Sequence, residues 1–276
     1  MALSIHTNYS ALTTNTALNK SNSALATNQQ RLGTGLRINS AADDAAGLQI
    51  ATRLNAQSRG MGVAMRNVGD ATSMLQTAEG AFSEMTDIVQ RMKDLATQAA
   101  NDTNGEADRT ALAAEYNQLA TEMNNIYDNT KYAGENLFGD GGKFAEAVNF
   151  QIGASSAETM ALTVNFGTFD PTAYDGTATL EDATTAQAAM DALETTLNDI
   201  GSVRAQFGAS INRLSHVNNN LANMKDNTEM AKGRIMDADF AVESANMSKN
   251  SMLMQSGISM LKQAGQMPGM VMGLLG

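Results

Sequence analysis

The sequence lacks cysteine altogether and has only two prolines, Pro171 and Pro268, among its 276 residues. Without cysteine there is no disulfide framework, no thiolate metal site and no cysteine nucleophile. With so few prolines, nothing in residues 1–170 forces a helix to break. Tryptophan is absent and aromatic residues make up only 5% of the chain, so we expect no large aromatic-packed core. The abundant Ala, Gln, Asn, Thr and Met favour long helices in close contact.

Acidic residues are missing from both ends of the chain. Residues 1–42 contain no Asp or Glu and carry a charge of +3, and residues 244–276 carry +2. The net charge is −11, so the residues between them carry −16. This acidic middle argues against nucleic acid as a partner, because phosphate contacts need clustered Lys and Arg. The nearly uncharged ends have a composition that favours packing.

Long hydrophobic runs are also absent. The first residues, MALSIHTNYSALTTN, lack the basic and continuous apolar regions of a secretory signal. No run approaches the length of a membrane span, so we expect no membrane partner. If the protein leaves the cell, we expect an export route that does not depend on a cleavable hydrophobic signal peptide.

Three long helices are predicted from apolar residues spaced by three and four. The first covers residues 71–99 and ends at the NDTNG turn, and the second covers about residues 112–126 and ends near the glycine-rich KYAGENLFGDGG. The third, residues 186–224, keeps one heptad frame over five repeats, as coiled coils do. Between the last two, alternating apolar residues at 148–152 and 162–166 predict a β-hairpin.

The two ends of the chain mirror each other. Large apolar residues recur every seven positions at Leu18, Leu25 and Leu32 near the start, and at Phe240, Met247, Met254 and Leu261 near the finish. One such residue per heptad is too narrow a stripe to fold alone, so each end needs a partner. Two disordered tails are the alternative for the free monomer, and ordering on assembly is the interpretation that bears on function.

A candidate acid pair lies in LRINSAADDAAG, where Asp43 and Asp44 adjoin. Neighbouring helical positions diverge by about 100°, so the two carboxylates cannot converge on one ion unaided. Ser40 and Asp43 form S-x-x-D, a relative of the helix-capping box, and we predict that Ser40 caps a helix here. Hydrolase, phosphate-loop and zinc-protease motifs are absent. We therefore expect no catalytic residue, cofactor or metal site.

Four long stretches carry a resemblance to a known family. They are NTALNKSNSALATNQQRLGTGLRINSAADDAAGLQIATRLNAQSRGM, VGDATSMLQTAEGAF, RAQFGASINRLSHVNNNL and RIMDADFAVESANMSKN. In these stretches the chain resembles a bacterial flagellin, over about residues 1–140 and 180–276. Only residues 141–179 separate the helical parts, so it is similar to short, core-only polar-flagellum flagellins of Gram-negative bacteria.

The resemblance implies a mainly α protein, a long antiparallel helical bundle or coiled coil of N- and C-terminal arms with a small β-hairpin region. It implies an axial arm at 1–42 and another at 233–276. The core domain then comprises 43–140 and 180–232, with the hairpin and a short variable loop at 141–179. At the joint between arm and core we expect Gly33 and Gly35 to loosen the chain, Ser40 to cap the next helix, and Asp43 and Asp44 to lie at the positive end of that helix.

The family also implies a function and partners. It implies a secreted, extracellular filament subunit for swimming motility, exported unfolded by type III export and added at the distal tip through pairing of its terminal helices. The expected partners are further copies of the chain, the cap and hook-associated junction proteins, and an export chaperone at the C-terminal region. Host Toll-like receptor 5 is another, and Arg91, Leu95 and Glu115 match the family's receptor-binding positions.

Three other interpretations stay open at this point. A hook–filament junction protein would also have paired terminal arms, although the motifs SAADDAAG and QRMKDLA favour flagellin. A secreted enzyme would need a larger insertion than residues 141–179 and a metal-ligand pattern. A purely host-binding protein would fail to polymerise. We also expect the last helix to end near Pro268.

Overall fold

The protein is mainly helical. The computed structural model describes residues 8–139, 141–167, 169–174 and 176–275, with the side chains of 172 and 267–275 excluded. Its elements, in order, are α1 (Tyr9–Thr34), α2 (Ala45–Ala99), α3 (Glu106–Asn129), β1 (Lys131–Tyr132), β2 (Glu135–Asn136), β3 (Val148–Gln151), β4 (Thr159–Leu162), α4 (Ala183–Met236) and α5 (Phe240–Leu275). Single 3₁₀ turns occur at Lys143–Ala145 and Pro171–Ala173. The predicted mainly α class is confirmed.

The chain forms two compact units. The arm unit consists of residues up to 58 and from 226 onward, and the core unit consists of residues 59–225. Helices α2 and α4 each contribute to both units. The predicted boundary at 42 lies in the linker between α1 and α2, whereas the predicted boundary at 233 lies inside α4. The compact units divide instead after residues 58 and 225, so the predicted domain bounds stay a prediction. Residues 1–7, Asp140, Thr168, Asp175 and Gly276 of the predicted domains lie outside the described residues.

The core unit is built on α2, α3 and α4. Two ion pairs, Arg204 to Glu79 at 2.8 Å and Lys93 to Glu194 at 3.0 Å, show that α2 and α4 run antiparallel. Their facing apolar rows are almost fully buried, as the sequence periodicity predicts. All three helices are longer than their predicted spans, because the periodic pattern fades before the backbone hydrogen bonding stops.

An aromatic cluster closes the middle of the core, contrary to the expectation drawn from composition. Phe82 lies at its centre, with ring centroids 5.1 Å from Phe138 and 5.9 Å from Phe207. The other members are Tyr127, Phe144, Phe166 and Phe169. Six of the eight phenylalanines therefore meet at one place, so the low aromatic content does not prevent an aromatic core. Rings in these offset and edge-on arrangements add stability beyond their buried area.

The β structure differs in detail from the prediction. β3 pairs antiparallel with β4, and Val148 lies opposite Leu162, so the second strand is Thr159–Leu162 and not residues 162–166. Val164 and Phe166 follow the strand and still pack on the core. A second hairpin, β1–β2, was predicted as loop. In its turn, Ala133 has φ 51 and Gly134 has φ 87, so both residues are left-handed. Ala-Gly is not among the dipeptides that signal such a turn in a sequence.

The last helix does not end near Pro268. α5 continues through this residue to Leu275. A proline inside a helix removes one backbone hydrogen bond and crowds the preceding turn, but it does not have to end the helix. The predicted end is therefore wrong. Across the described residues, no helix is both long and apolar enough to span a bilayer.

Candidate assembly surface

Helices α1 and α5 pack against each other along their length and form the arm hairpin. Asn8 caps α1 by accepting a hydrogen bond from the Ala11 N–H at 3.0 Å, and its Nδ2 donates to the Ala264 carbonyl at 2.8 Å. Near the middle, a Cβ placed on Gly257 would lie 3.3 Å from Leu18 Cδ1. The two acid-poor ends of the chain are therefore antiparallel partners.

The seam of the hairpin follows the predicted seven-residue rows. Six of the seven predicted assembly residues are half-buried along it: Leu18, Leu25, Leu32, Met247, Met254 and Leu261. Phe240 differs, because it is 62% exposed. It is the first residue of α5, at the end of the hairpin where α1 stops at Thr34, so little of α1 lies opposite. The role of all seven residues in assembly stays a prediction.

A polar node interrupts the apolar seam. We define it as Asn28, Arg31, Glu243 and Asn250. Glu243 is 7% exposed, and its Oε1 accepts a hydrogen bond from Arg31 Nη1 at 3.0 Å. In the amide orientation that satisfies its neighbours, Asn28 donates to the other Glu243 oxygen at 3.1 Å and accepts from Asn250 Nδ2 at 3.1 Å. Both partly apolar helices thus bury charged and amide groups against each other.

The outer faces of the arm hairpin carry large apolar side chains in solvent. Tyr9, Leu12, Phe240, Met252 and Met260 are each more than 60% exposed. Ten of the twelve exposed large hydrophobic residues among the described side chains belong to the arm unit. Soluble monomers rarely expose so many apolar groups together, so this surface has the character of an interaction site.

The joint between arm and core is more ordered than its glycines predict. Gly35 ends α1 in the left-handed conformation at φ 71, and its N–H donates to the Arg31 carbonyl at 2.8 Å. Gly33 is still helical, so it does not loosen the chain. The two linkers pair through the backbone, with Arg37 N–H donating to Met236 at 2.6 Å and Ala238 N–H donating to Gly35 at 2.9 Å.

The predicted capping role of Ser40 is wrong. Helix α2 begins at Ala45, and the Asp44 carboxylate accepts from the Gly47 N–H at 2.8 Å, so Asp44 is the cap. Asp43 instead closes a turn and accepts from the Asn39 and Ser40 N–H groups. These hydrogen bonds, with the Ser40 backbone first, lower the pKa of Asp43 below its ordinary value. The two carboxylates therefore shape the chain and do not form a site together.

The receptor-matching residues separate into two groups. Arg91 binds Glu115 through Nε at 3.0 Å and Nη2 at 2.6 Å, and both side chains are about half exposed. Leu95 is 1% exposed and belongs to the hydrophobic core of the core unit. A partner can reach the Arg91–Glu115 pair, but it cannot reach Leu95 in this conformation.

The described residues hold no group of three His, Cys, Asp or Glu side chains placed to bind a metal.

The chain matches two family models, the bacterial flagellin N-terminal helical region at residues 5–142 and the C-terminal helical region at residues 190–275. It is 35% identical to polar flagellin C of Vibrio parahaemolyticus, over an alignment of 387 positions that covers all of both chains. It is 40% identical to a flagellin of Halalkalibacterium halodurans, over 89% of this chain and 90% of the relative. The Vibrio alignment is more than 100 positions longer than this chain, so that relative contains insertions.

Two solved structures are also similar. The crystal structure of Bacillus cereus flagellin is 34% identical, covers 56% of this chain and 88% of its own, and has a TM-score of 0.48. A Vibrio parahaemolyticus protein described as flagellar hook-associated shares the fold at a TM-score of 0.59, with 14% identity over 71% of this chain and all of its own. The second likeness concerns the fold alone. On the family models and the full-length relatives, the chain belongs to the bacterial flagellins, the structural and non-enzymatic proteins that polymerise into the flagellar filament.

Proposed function

We propose that the chain is exported unfolded through the flagellar type III apparatus, is added at the distal tip of the filament under a cap protein, and completes its arm packing only among other copies. The observation that carries this proposal is the arm hairpin. Its seam buries one face of each helix, whereas Leu12, Met252 and Met260 stay in solvent on the outer faces. Contacts with further copies would bury these side chains and add roughly 25 cal/mol for each Å² of apolar surface removed from water.

The composition supports export in an unfolded state. A chain without cysteine refolds without forming disulfides, and its two prolines limit slow isomerisation steps. The narrow seam also leaves the arm unit easy to open before export and quick to close afterwards. The protein would then act outside the cell, as part of the filament used for swimming.

Seeded polymerisation tests the role of the outer faces. The variant Leu253→Ser/Met260→Ser removes two exposed apolar side chains from α5 and keeps every residue of the seam rows and of the polar node. Both side chains line a groove beside Leu18, so helix content is measured together with polymerisation. We expect its critical concentration for polymerisation on filament seeds to rise at least about tenfold. Each loss of about 1.4 kcal/mol of association free energy weakens binding between copies by a factor of ten. Electron microscopy and sedimentation measure this.

A matched control separates assembly from folding. Val63→Ser removes an apolar side chain that is 46% exposed on the core unit, comparable with the 48% of Leu253. We expect this variant to polymerise nearly as well as the unchanged chain. Normal polymerisation of the α5 variant, with unchanged helix content in circular dichroism, would refute the proposal that the outer faces assemble.

The same exposed faces fit the other predicted flagellar partners. An export chaperone would cover the apolar residues of α5 before assembly, and the junction and cap proteins would contact the arms at the two ends of the filament. If a chaperone does so, its addition should protect Leu253 and Met260 backbone amides from exchange. Protection confined to the core unit would contradict this assignment.

We further propose that host Toll-like receptor 5 binds the exposed Arg91–Glu115 pair. Both side chains are accessible, and the pair itself offers charges of both signs. Asp94 lies one turn from Arg91 on α2, whereas Lys93 faces α4 and pairs with Glu194. Leu95 would act only by holding α2 in place from inside. Arg91→Ala should reduce receptor signalling by monomers about tenfold without changing thermal stability, because an exposed ion pair contributes at most about 1 kcal/mol to folding. Unchanged signalling would remove the claim.

A further inference from the structure

We infer that the polar node selects the partner of each terminal helix, so that α1 pairs with α5 and not with another α1 or α5. This inference rests on the proposed assembly, in which the arms of many copies come close together. The apolar seam can provide adhesion between two helices. Selecting one partner among similar helices needs a feature that stabilises the correct pair and destabilises the others.

The apolar rows alone cannot make this choice. Both helices present one large flexible residue per heptad, leucine on α1 and mostly methionine on α5. The alternate seam positions hold small or short residues, such as Ser21, Gly257 and Ala264. Such rows fit against each other in any combination, since methionine and leucine differ little in volume and methionine adapts its shape.

The charges of the node are distributed between the helices in a way that does discriminate. α1 contains no acid at all, and Glu243 is the only acid in α5. Arg31 can therefore meet a buried carboxylate on the seam only when α5 is its partner. Asn28 and Asn250 also come from opposite helices, and Asn250 Nδ2 donates to the Asn28 side-chain oxygen.

Each wrong pair would leave a group unsatisfied. A parallel pair of two α5 helices would place two Glu243 carboxylates together, and an antiparallel pair would set Glu243 opposite the uncharged last turns of its partner. A pair of two α1 helices would leave Arg31 without an acid. The Glu243 side chain is buried and that of Arg31 is 29% exposed, so the larger cost falls on a Glu243 carboxylate left without its cation. One buried polar position is enough to fix the partner in coiled coils.

Disulfide trapping tests the inference, because the chain has no cysteine of its own. Leu18→Cys/Gly257→Cys reports the α1–α5 pair, since a Cβ on Gly257 would lie 3.9 Å from Leu18 Cβ, within disulfide range. Ser21→Cys alone reports two α1 helices, and Gly257→Cys alone reports two α5 helices, because both residues lie near the midpoints of their helices. Yields are measured on the full chain, as concentrated monomer and during seeded polymerisation.

With the node intact, we expect a high yield of the internal disulfide and little cross-linked dimer from either single cysteine. In the background Asn28→Leu/Arg31→Leu/Glu243→Leu/Asn250→Leu, the apolar seam becomes continuous. We expect dimer from the single-cysteine chains to rise at least about fivefold, while helix content stays the same. An unchanged dimer yield in this background would overturn the inference.

A charge reversal guards against a variant that merely misfolds. Arg31→Glu alone should lower the internal disulfide yield several-fold, since two carboxylates then face each other in the seam. Arg31→Glu/Glu243→Arg should restore both the yield and the low dimer background. Failure of the reversal to restore them would overturn the inference too. Polymer formation is scored separately by electron microscopy, so a loss of selectivity with normal filaments leaves the proposed function standing.

Discussion

The core unit buries its hydrophobic residues almost completely, whereas the arm unit leaves many of its own in solvent. In the core unit, Phe82, Met85, Val89 and Ile200 are 0% exposed. In the arm unit, Leu18 and Met254 are half-buried and Met252 is 64% exposed. Both units contain long helices, but the arm helices repeat one large apolar residue per heptad and the core helices repeat apolar residues every three and four positions. They differ in how many sides of each helix find a neighbour.

The two units also differ in their content of acidic residues. Most of the acidic residues lie in the core unit, while α1 has no acid and α5 has one. Uncharged faces can approach closely in a polymer without repulsion between copies, and an acidic surface stays solvated. Both differences support the proposal that the core unit is complete as a single chain and that the arm unit is complete only among copies.

The same substitution in the two units gives the sharpest test of this conclusion. Phe82→Ala should cost about 3–5 kcal/mol of unfolding free energy, because it empties the centre of the aromatic cluster. Phe240→Ala should change the unfolding free energy of the monomer by no more than about 0.5 kcal/mol, since its ring is 62% exposed. Urea unfolding measured by circular dichroism gives both values.

Polymerisation of the Phe240→Ala chain completes that comparison. We expect slower growth on filament seeds, because Phe240 would be buried only by another copy. If Phe240→Ala destabilised the monomer as much as Phe82→Ala does, the arm would already be complete in the single chain, and the comparison between the units would fail.

Amide exchange distinguishes the units without any substitution. Residues 9–34 and 240–265 should exchange quickly in the monomer, since helices with a narrow buried stripe open at low cost. In the filament their protection should rise by at least about 2 kcal/mol, roughly thirtyfold, while protection around Phe82 changes little. Equal protection of the arms in monomer and filament would contradict the proposal that they order on assembly.

The long helices of both units were predictable from sequence because their apolar residues repeat at a helical period. The aromatic cluster was not, since its rings come from α2, α3, α4 and the segments between them and share no period. Leu95 shows a conflict between two signals. The family motif places it in a receptor-binding patch, whereas its apolar row on α2 predicts burial, and burial is what the structure has.

The polar node was missed for a different reason. Asn28, Glu243 and Asn250 are polar, and polar residues on an amphipathic helix are expected to face solvent. Their positions carried a signal, since Asn28 and Asn250 fall in the seam positions of the same heptads as Leu25 and Met247. Which polar groups meet across a seam depends on the register of two segments more than 200 residues apart, and neither segment specifies that register alone.

Two nearby glycines allow a matched test of the joint. Gly35→Ala should destabilise the arm unit by about 1–2 kcal/mol, because φ 71 lies in the left-handed region that a Cβ disfavours. Gly33→Ala should stabilise it by about 0.5–1 kcal/mol, since this position is helical and has nothing within 4 Å of an added Cβ. Thermal and urea unfolding at 222 nm measure both. Opposite signs are the expected result, and a similar loss in both variants would show that the joint is loose, as the sequence predicts.

The smallest expected effect concerns the pH dependence of the joint. Hydrogen bonds from Ser40 and Asn39 lower the pKa of Asp43 in the folded chain below its ordinary 3.8. A lowered folded pKa means that the ionised carboxylate stabilises the fold above pH 3.8, and that this contribution is lost as the pH falls through the folded value. An NMR titration of the Asp43 carboxyl carbon should give a pKa below 3.8, and Ser40→Ala, which removes the hydroxyl donor, should move it part of the way back. A titration at or above 3.8 would mean that the turn does not hold the carboxylate. In that case the paired linkers alone, through Arg37, Met236, Gly35 and Ala238, would fix the joint between α1 and α2.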